Sequence, residues 1–144
     1  MVTIDKLMKN ENFTLIGSRG IGLDGDDYDF VVNIDNLTDE VDYGQCMNLC
    51  NYVNVLPLGN SMLINLQTEK GENIDILAYE DNKDISAIKL AVQTIKMSVE
   101  SSNYYYDFYE IKDNRVSVFE FLYKGYRDGF IKVSNYEQDA LPLL

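Results

Sequence analysis

The stretch GSRGIGLDGDDYDFVV (residues 17–32) joins a glycine-rich turn to a cluster of acids and then to a strand-forming run. The clustered acids are Asp24, Asp26, Asp27 and Asp29. Like charges this close repel each other unless cations or water offset the repulsion. The segments NFTLIG (12–17) and DYDFVVNI (27–34) on either side of the turn have strand composition. We therefore predict two strands joined by a glycine-rich loop or a single helical turn over residues 18–26.

The second of these strands has two chemically different faces, because successive side chains of a strand point in opposite directions. One face carries Asp27, Asp29, Val31 and Asn33, and the other carries Tyr28, Phe30, Val32 and Ile34. The apolar face is predicted to contact the core, and the opposite face to present carboxylates.

The rest of the chain alternates helix-type and strand-type patterns. Helices are predicted over residues 3–10, 37–52, 84–101 and 113 to about 124, with Thr3 and Thr38 as N-caps of the first two. Strands over 61–67 and 73–79 are predicted to pair as an antiparallel hairpin. The helix over 84–101 has an apolar stripe formed by Ile85, Ile88, Ala91, Val92, Ile95 and Val99. The aromatic segment 103–110 has no clear pattern.

This order of elements predicts an α/β (α+β) protein with a mixed β-sheet of about four or five strands flanked by helices. At 144 residues, the chain is predicted to form one domain over residues 1–144. Its core is expected over about 1–82, with a helical C-terminal extension over about 83–144.

Composition restricts the kinds of partner. The apolar and charged fractions, 46% and 25%, are ordinary for a soluble globular protein. We expect a cytoplasmic protein with no membrane partner, because the sequence has no long apolar run and its N-terminus lacks the order of a signal peptide. A net charge of −12 argues against non-specific nucleic-acid binding.

The two cysteines, Cys46 and Cys50, have a helical i, i+4 spacing. With no histidine in the chain and no second cysteine pair, a zinc site is disfavoured. We expect two reduced, core-facing thiols.

Three features of the sequence can carry phosphate or metal chemistry, and each also has a purely structural interpretation. Gly17 and Ser18 can present backbone N–H groups and a hydroxyl to an anion, or simply form a turn. Asp27 and Asp29 can converge on divalent ions, or form a solvated strand end. Asp75 is flanked by Ile74 and Ile76, so its carboxylate is either paired beside the other two acids or placed on a solvent face.

Taken together, these residues resemble the DNA polymerase beta-type nucleotidyltransferase superfamily. The pattern of an apolar strand, Gly17-Ser18, a variable turn, Asp27-x-Asp29 and a later Asp75 is similar to that of its small members. Those members include minimal antitoxin-type proteins, kanamycin nucleotidyltransferase-like enzymes and phage-encoded versions. The similarity is tight over residues 12–34 and extends to Asp75.

The resemblance implies the fold, activity and site residues of that superfamily. Gly17, Ser18 and Arg19 would bind the phosphates of a nucleoside triphosphate such as ATP. Asp27, Asp29 and Asp75 would bind two Mg²⁺ (or Mn²⁺) ions. Asp75 would also help deprotonate an acceptor hydroxyl of a protein, an RNA or a small molecule, which attacks the α-phosphate and releases pyrophosphate.

The chain departs from the family pattern at Asp24 and Asp26, the second of which replaces the commoner serine. Neither acid follows from the metal chemistry. An EF-hand loop starting at Asp24 fails, because Asp29 would occupy the position that needs glycine. Two alternatives to an enzyme remain open: a non-catalytic binding protein of this fold, acting as an antitoxin or phage factor on a host protein, and an acidic mimic of nucleic acid.

Overall fold

The structure, a computed structural model, describes residues 3–37, 45–47, 61–68 and 70–132. The helices are α1 (Ile4–Lys9), α2 (Gly17–Gly20), α3 (Asn82–Ser101), α4 (Asn103–Glu110) and α5 (Lys112–Asp128), with a 3₁₀ turn at Ile34–Asn36. The strands are β1 (Thr14–Ile16), β2 (Asp27–Asn33), β3 (Gln45–Met47), β4 (Ser61–Gln67) and β5 (Asn73–Tyr79). The described structure from residue 82 to residue 128 is therefore helical except at residues 102 and 111.

The strands form one mixed sheet in the order β1-β2-β5-β4-β3. Strand β2 pairs in parallel with β5, and the other neighbouring strands pair antiparallel. The predicted mixed sheet of four or five strands flanked by helices is confirmed, as is the hairpin of residues 61–67 with 73–79. The parallel pairing of β2 and β5 brings together residues that are 46 positions apart in the sequence.

Both faces of the sheet carry buried side chains. On one face, Phe30 and Val32 of β2 pack with Leu7 of α1 and with Phe13. On the other face, Val31 packs in a cluster with residues of α3 and α5. The predicted contact of the apolar face of β2 with the core is confirmed, and the face that carries the carboxylates also contributes Val31 to a core cluster. Asp27, Asp29 and Val31 share a face, and of these three only Val31 belongs to the core cluster that contains residues of α3 and α5.

Helix α3 connects the sheet to the helical layer. It begins after Asp81, whose side chain accepts a hydrogen bond from the Lys83 N–H. Its predicted apolar stripe is confirmed, since all six stripe residues are buried. The aromatic segment 103–110 forms α4, which ends close to the start of α5.

Two predictions about residues 37–52 are affected by the structure. Residues 45–47 form strand β3, so the helix predicted over 37–52 is wrong at that point. Cys46 lies opposite Ile64 in the pairing with β4, and the helical spacing inferred for Cys46 and Cys50 is wrong with it. Pairing with a distant strand overrode the local helical pattern. Residues 38–44 and 48–52 of that predicted helix lie outside the described residues.

Within the described ranges, no helix combines the length and the apolar character that a membrane crossing requires.

Candidate functional site

The turn after β1 is built around Gly17. Its φ of 68° is a left-handed conformation that glycine adopts far more readily than other residues. A Cβ added to this glycine would overlap Oδ2 of Asp29. The backbone of the turn therefore approaches the Asp29 carboxylate as closely as only a glycine permits.

Ser18 follows directly and lies in the single helical turn α2. Its carbonyl oxygen accepts a hydrogen bond from the Leu23 N–H at 2.9 Å, which folds the loop back over the turn. A Cβ added to Gly25 would lie 3.2 Å from Cβ of Ser18, so this part of the loop also packs tightly. The predicted single helical turn is confirmed, and it places Ser18 beside the start of β2.

Asp29 and Asp75 are direct partners in the parallel pairing of β2 and β5. Side chains at paired positions share a face of the sheet, so the two carboxylates lie side by side. Asp27 is two residues before Asp29 on the same face, opposite Asn73, and its side chain is exposed. The alternative in which Asp75 is separated from Asp29 on a solvent face does not hold.

The carboxyl group of Asp29 is in an unfavourable electrostatic environment. Burial, followed by the negative charges of Asp75 and Asp27, raises its pKa from 3.8 to about 7. A hydrogen bond from the neutral Asp29 carboxyl to Asp75 acts in the same direction. This cluster therefore retains a proton near neutral pH that an isolated aspartate would have lost.

Asn65 extends this pair across a third strand, because it lies opposite Asp75 in the antiparallel pairing of β4 and β5. Its Nδ2 donates a hydrogen bond to Oδ1 of Asp75 at 2.6 Å. Asn65 is not among the site residues predicted from the sequence. The predicted hairpin could have indicated this residue. If residues 67 and 73 face each other next to the turn, the same register places residue 65 opposite residue 75.

Arg19 is oriented differently from the other predicted phosphate-binding residues. Its guanidinium carbon lies 4.0 Å from the centre of the Tyr28 ring, a cation–π contact. Tyr28 lies on the opposite face of β2 from Asp27 and Asp29, where it packs against the hydrophobic cluster that contains Phe30 and Val32. The buried Nε of Arg19 has no hydrogen-bond partner among the described residues. Contact between Arg19 and a ligand on the carboxylate face therefore requires this side chain to reorient.

The chemistry of the donor groups fits a hard divalent cation. Within the described ranges, no group of three or more His, Cys, Asp or Glu side chains is already arranged as a set of metal ligands. Mg²⁺ needs only one or two carboxylates, since phosphates and water complete its shell. Asp29 and Asp75 supply two adjacent carboxylates, and a cation would offset the burial and the repulsion that together raise the pKa of Asp29.

Comparison with protein-family models, with curated proteins and with solved structures finds no match to this chain. Any assignment of function to this chain therefore rests on the residues and the geometry of the site.

Proposed function

We propose that this chain is a magnesium-dependent nucleotidyltransferase with the fold of the polymerase beta-type superfamily. It would transfer a nucleoside monophosphate from a triphosphate to a hydroxyl acceptor. The observation that carries the proposal is the pairing of Asp29 with Asp75 directly beside the Gly17 turn. A tight glycine turn at the end of a strand, next to paired carboxylates, suits a phosphate chain that arrives with its cations.

Each predicted residue has a role in this proposal. Asp27, Asp29 and Asp75 hold the divalent ions, and the backbone of Gly17 and Ser18 binds the β- and γ-phosphates. Bound divalent ions stabilise the charge that develops on the attacking and leaving oxygens of a phosphoryl transfer. Arg19 leaves the ring of Tyr28 to contact the triphosphate, because it is the only cation between Lys9 and Lys70 in the sequence.

The group-transfer step uses Asp75 as the proton acceptor. Its carboxylate takes the proton of the acceptor hydroxyl, and the hydroxyl oxygen forms a bond to the α-phosphorus. The bond between that phosphorus and the bridging oxygen breaks, so pyrophosphate leaves with the electron pair. Asp75 suits this role because it is half-buried and its carboxylate is oriented by a hydrogen bond.

The direct test is transfer of an α-phosphate label. The protein is incubated with each α-labelled nucleoside triphosphate and Mg²⁺ or Mn²⁺, alone and with cell lysate. We expect label on an acceptor with the wild type and none with Asp29→Asn. The matched control is the double variant Asp24→Asn, Asp26→Asn, which neutralises two acids of the same loop and should keep the activity. Absence of transfer under all of these conditions would contradict the enzymatic proposal.

A non-catalytic binding protein of the same fold is the second candidate. It is favoured by Tyr104 and Tyr105 of α4, which are 73% and 44% exposed, while Tyr109 of the same helix is buried. Exposed neighbouring aromatic side chains are typical of protein interfaces. If no label is transferred, and if substitution of both tyrosines by serine abolishes binding to a host protein that the wild type captures, the binding role replaces the enzymatic one.

A further inference from the structure

Three polar side chains form one line across the centre of the sheet. Asp29 of β2 is paired with Asp75 of β5, and Asp75 is paired with Asn65 of β4. Because paired residues share a face, all three side chains point to the same side. Asn65 is therefore the neighbour of Asp75 on the side away from Asp29.

Of the two amide side chains on this face of β4, Asn65 and Gln67, it is Asn65 that donates its hydrogen bond to Asp75. The amide of Asn65 donates to Oδ1 of Asp75 at 2.6 Å, and Asn65 is half-buried. Gln67 lies two residues further along the same face of β4, but its Nε2 donates to the carbonyl oxygen of Gly71 at 3.3 Å. The Asn65 amide therefore donates to a carboxylate of the candidate site, whereas the Gln67 amide donates to the backbone of the hairpin turn.

We propose that Asn65 is a positioning residue, whose amide fixes the Asp75 carboxylate so that its remaining oxygen faces Asp29 and a shared divalent cation. This inference rests on the proposed function, because it assumes that the pair binds metal. An ionised carboxylate that accepts a hydrogen bond from a fixed amide loses rotational freedom. Without the amide, the Asp75 carboxylate can rotate away from Asp29 and from the cation that the two residues would share. Groups that orient metal ligands in this way are worth about 10- to 100-fold in metal affinity.

The test is Mn²⁺ binding without nucleotide, measured by the paramagnetic resonance signal of the free ion. The informative variants are Asn65→Val and Asn65→Thr, which have almost the same shape and favour a strand, whereas only threonine keeps a hydrogen-bond donor. We expect Asn65→Val to bind Mn²⁺ about tenfold more weakly than the wild type, and Asn65→Thr to bind more tightly than Asn65→Val. Gln67→Val is the control on the same strand and face, and should keep the wild-type affinity.

The possible outcomes separate this inference from the proposed function. If the wild type binds Mn²⁺ and Asn65→Val binds equally well, the positioning role is wrong while the metal site stands. Equal losses in Asn65→Val and Gln67→Val would also overturn it, because they would show a general effect of removing polar groups from β4. If the wild type binds no Mn²⁺ without nucleotide, the positioning role is wrong, and the label-transfer assay tests the proposed function independently. Melting curves in metal-free buffer establish that each variant is folded, and Asn65→Ala replaces Asn65→Val if the latter does not fold.

Discussion

Asp29 and Asp75 lie directly opposite each other where the parallel strands β2 and β5 pair, near the N-terminal ends of both strands. The two acids are 46 residues apart in the sequence, and only the sheet topology brings them together. Burial and the charges of Asp75 and Asp27 raise the pKa of Asp29 to about 7. The ionised form of Asp29 is therefore disfavoured in the folded chain. Asp29 is also one of the residues for which the resemblance to nucleotidyltransferases predicts metal binding.

The first prediction concerns the pH dependence of stability without divalent ions. The pKa of Asp29 is about 7 in the folded state against 3.8 for an unperturbed aspartate. Between these values the folded protein holds a proton that the unfolded chain has released. The contribution of Asp29 to the free energy of unfolding therefore decreases as the pH rises through this window, by at most about 1.4 kcal/mol per pH unit. Above the window this contribution is constant.

Urea unfolding in a chelating buffer at several pH values between 5 and 8 measures this slope. Asp29→Asn should lose this part of the slope and exceed the wild type in stability at pH 8, because it removes the repulsion with Asp75. Asp24→Asn, which neutralises an exposed acid of the preceding loop, should keep the wild-type slope. Parallel curves for the wild type and Asp29→Asn would contradict the assignment.

The second prediction concerns the glycine beside Asp29. Gly17→Ala introduces a left-handed alanine, at a cost of about 1–2 kcal/mol, and adds a methyl group that overlaps the Asp29 carboxylate. Gly71→Ala is the matched control, because Gly71 has a φ of 85° but no atom within 4 Å of the added Cβ. We expect Gly17→Ala to lower the free energy of unfolding more than Gly71→Ala in urea titrations. Equal decreases in the free energy of unfolding for the two variants would mean that a side chain at position 17 does not clash with Asp29.

The third prediction concerns the contact that joins α3 to α5. The fully buried Tyr123 donates a hydrogen bond from its hydroxyl to Oδ1 of Asp84 at 2.7 Å, and Nη1 of Arg127 lies 3.7 Å from the same oxygen. Hydrogen bonds to charged groups contribute about 1.5–3 kcal/mol, against about 0.5–1.5 kcal/mol for neutral ones. Tyr123→Phe should therefore destabilise the protein more than Tyr126→Phe, whose hydroxyl is 2.9 Å from Thr94 Oγ1.

Denaturant unfolding of the two variants, each compared with the wild type, provides the measurement. Both substitutions remove one oxygen and leave the ring in place, so their difference reports the charge of the partner. A larger loss for Tyr126→Phe would show that Asp84 is stabilised mainly by other groups.

Local patterns predicted well those elements whose ends the sequence marks clearly. Strands β4 and β5 have the predicted bounds, because the two apolar segments are separated by the polar turn that contains Gly71. The stripe of α3 is also confirmed, since it faces one layer of the core. Strand β3 was missed because its pairing with β4 is non-local, while the surrounding residues carry a helix-type spacing.

The candidate site was only partly predictable for a related reason. The sequence indicates Asp27 and Asp29 through their spacing, but the position of Asp75 depends on which strands pair. The alternation of β2 could not show that its carboxylate face becomes a helix-covered face at Val31. The contact of Arg19 with Tyr28 depends on how the loop folds back, and the sequence carries no signal for that conformation.

The last prediction tests ligand binding through stability. A ligand that binds only the folded state at a concentration of about 100 times its Kd adds about 2.7 kcal/mol to the free energy of unfolding. For a chain of this size, each kcal/mol corresponds to a shift of about 2–4 °C in Tm. Saturating Mg²⁺ with the preferred nucleoside triphosphate should therefore raise the Tm of the wild type by about 5–10 °C. The double variant Asp27→Asn, Asp29→Asn should show almost no shift, whereas the double variant Asp24→Asn, Asp26→Asn should shift like the wild type. Equal shifts in all three proteins would place the bound metal and nucleotide away from Asp27 and Asp29.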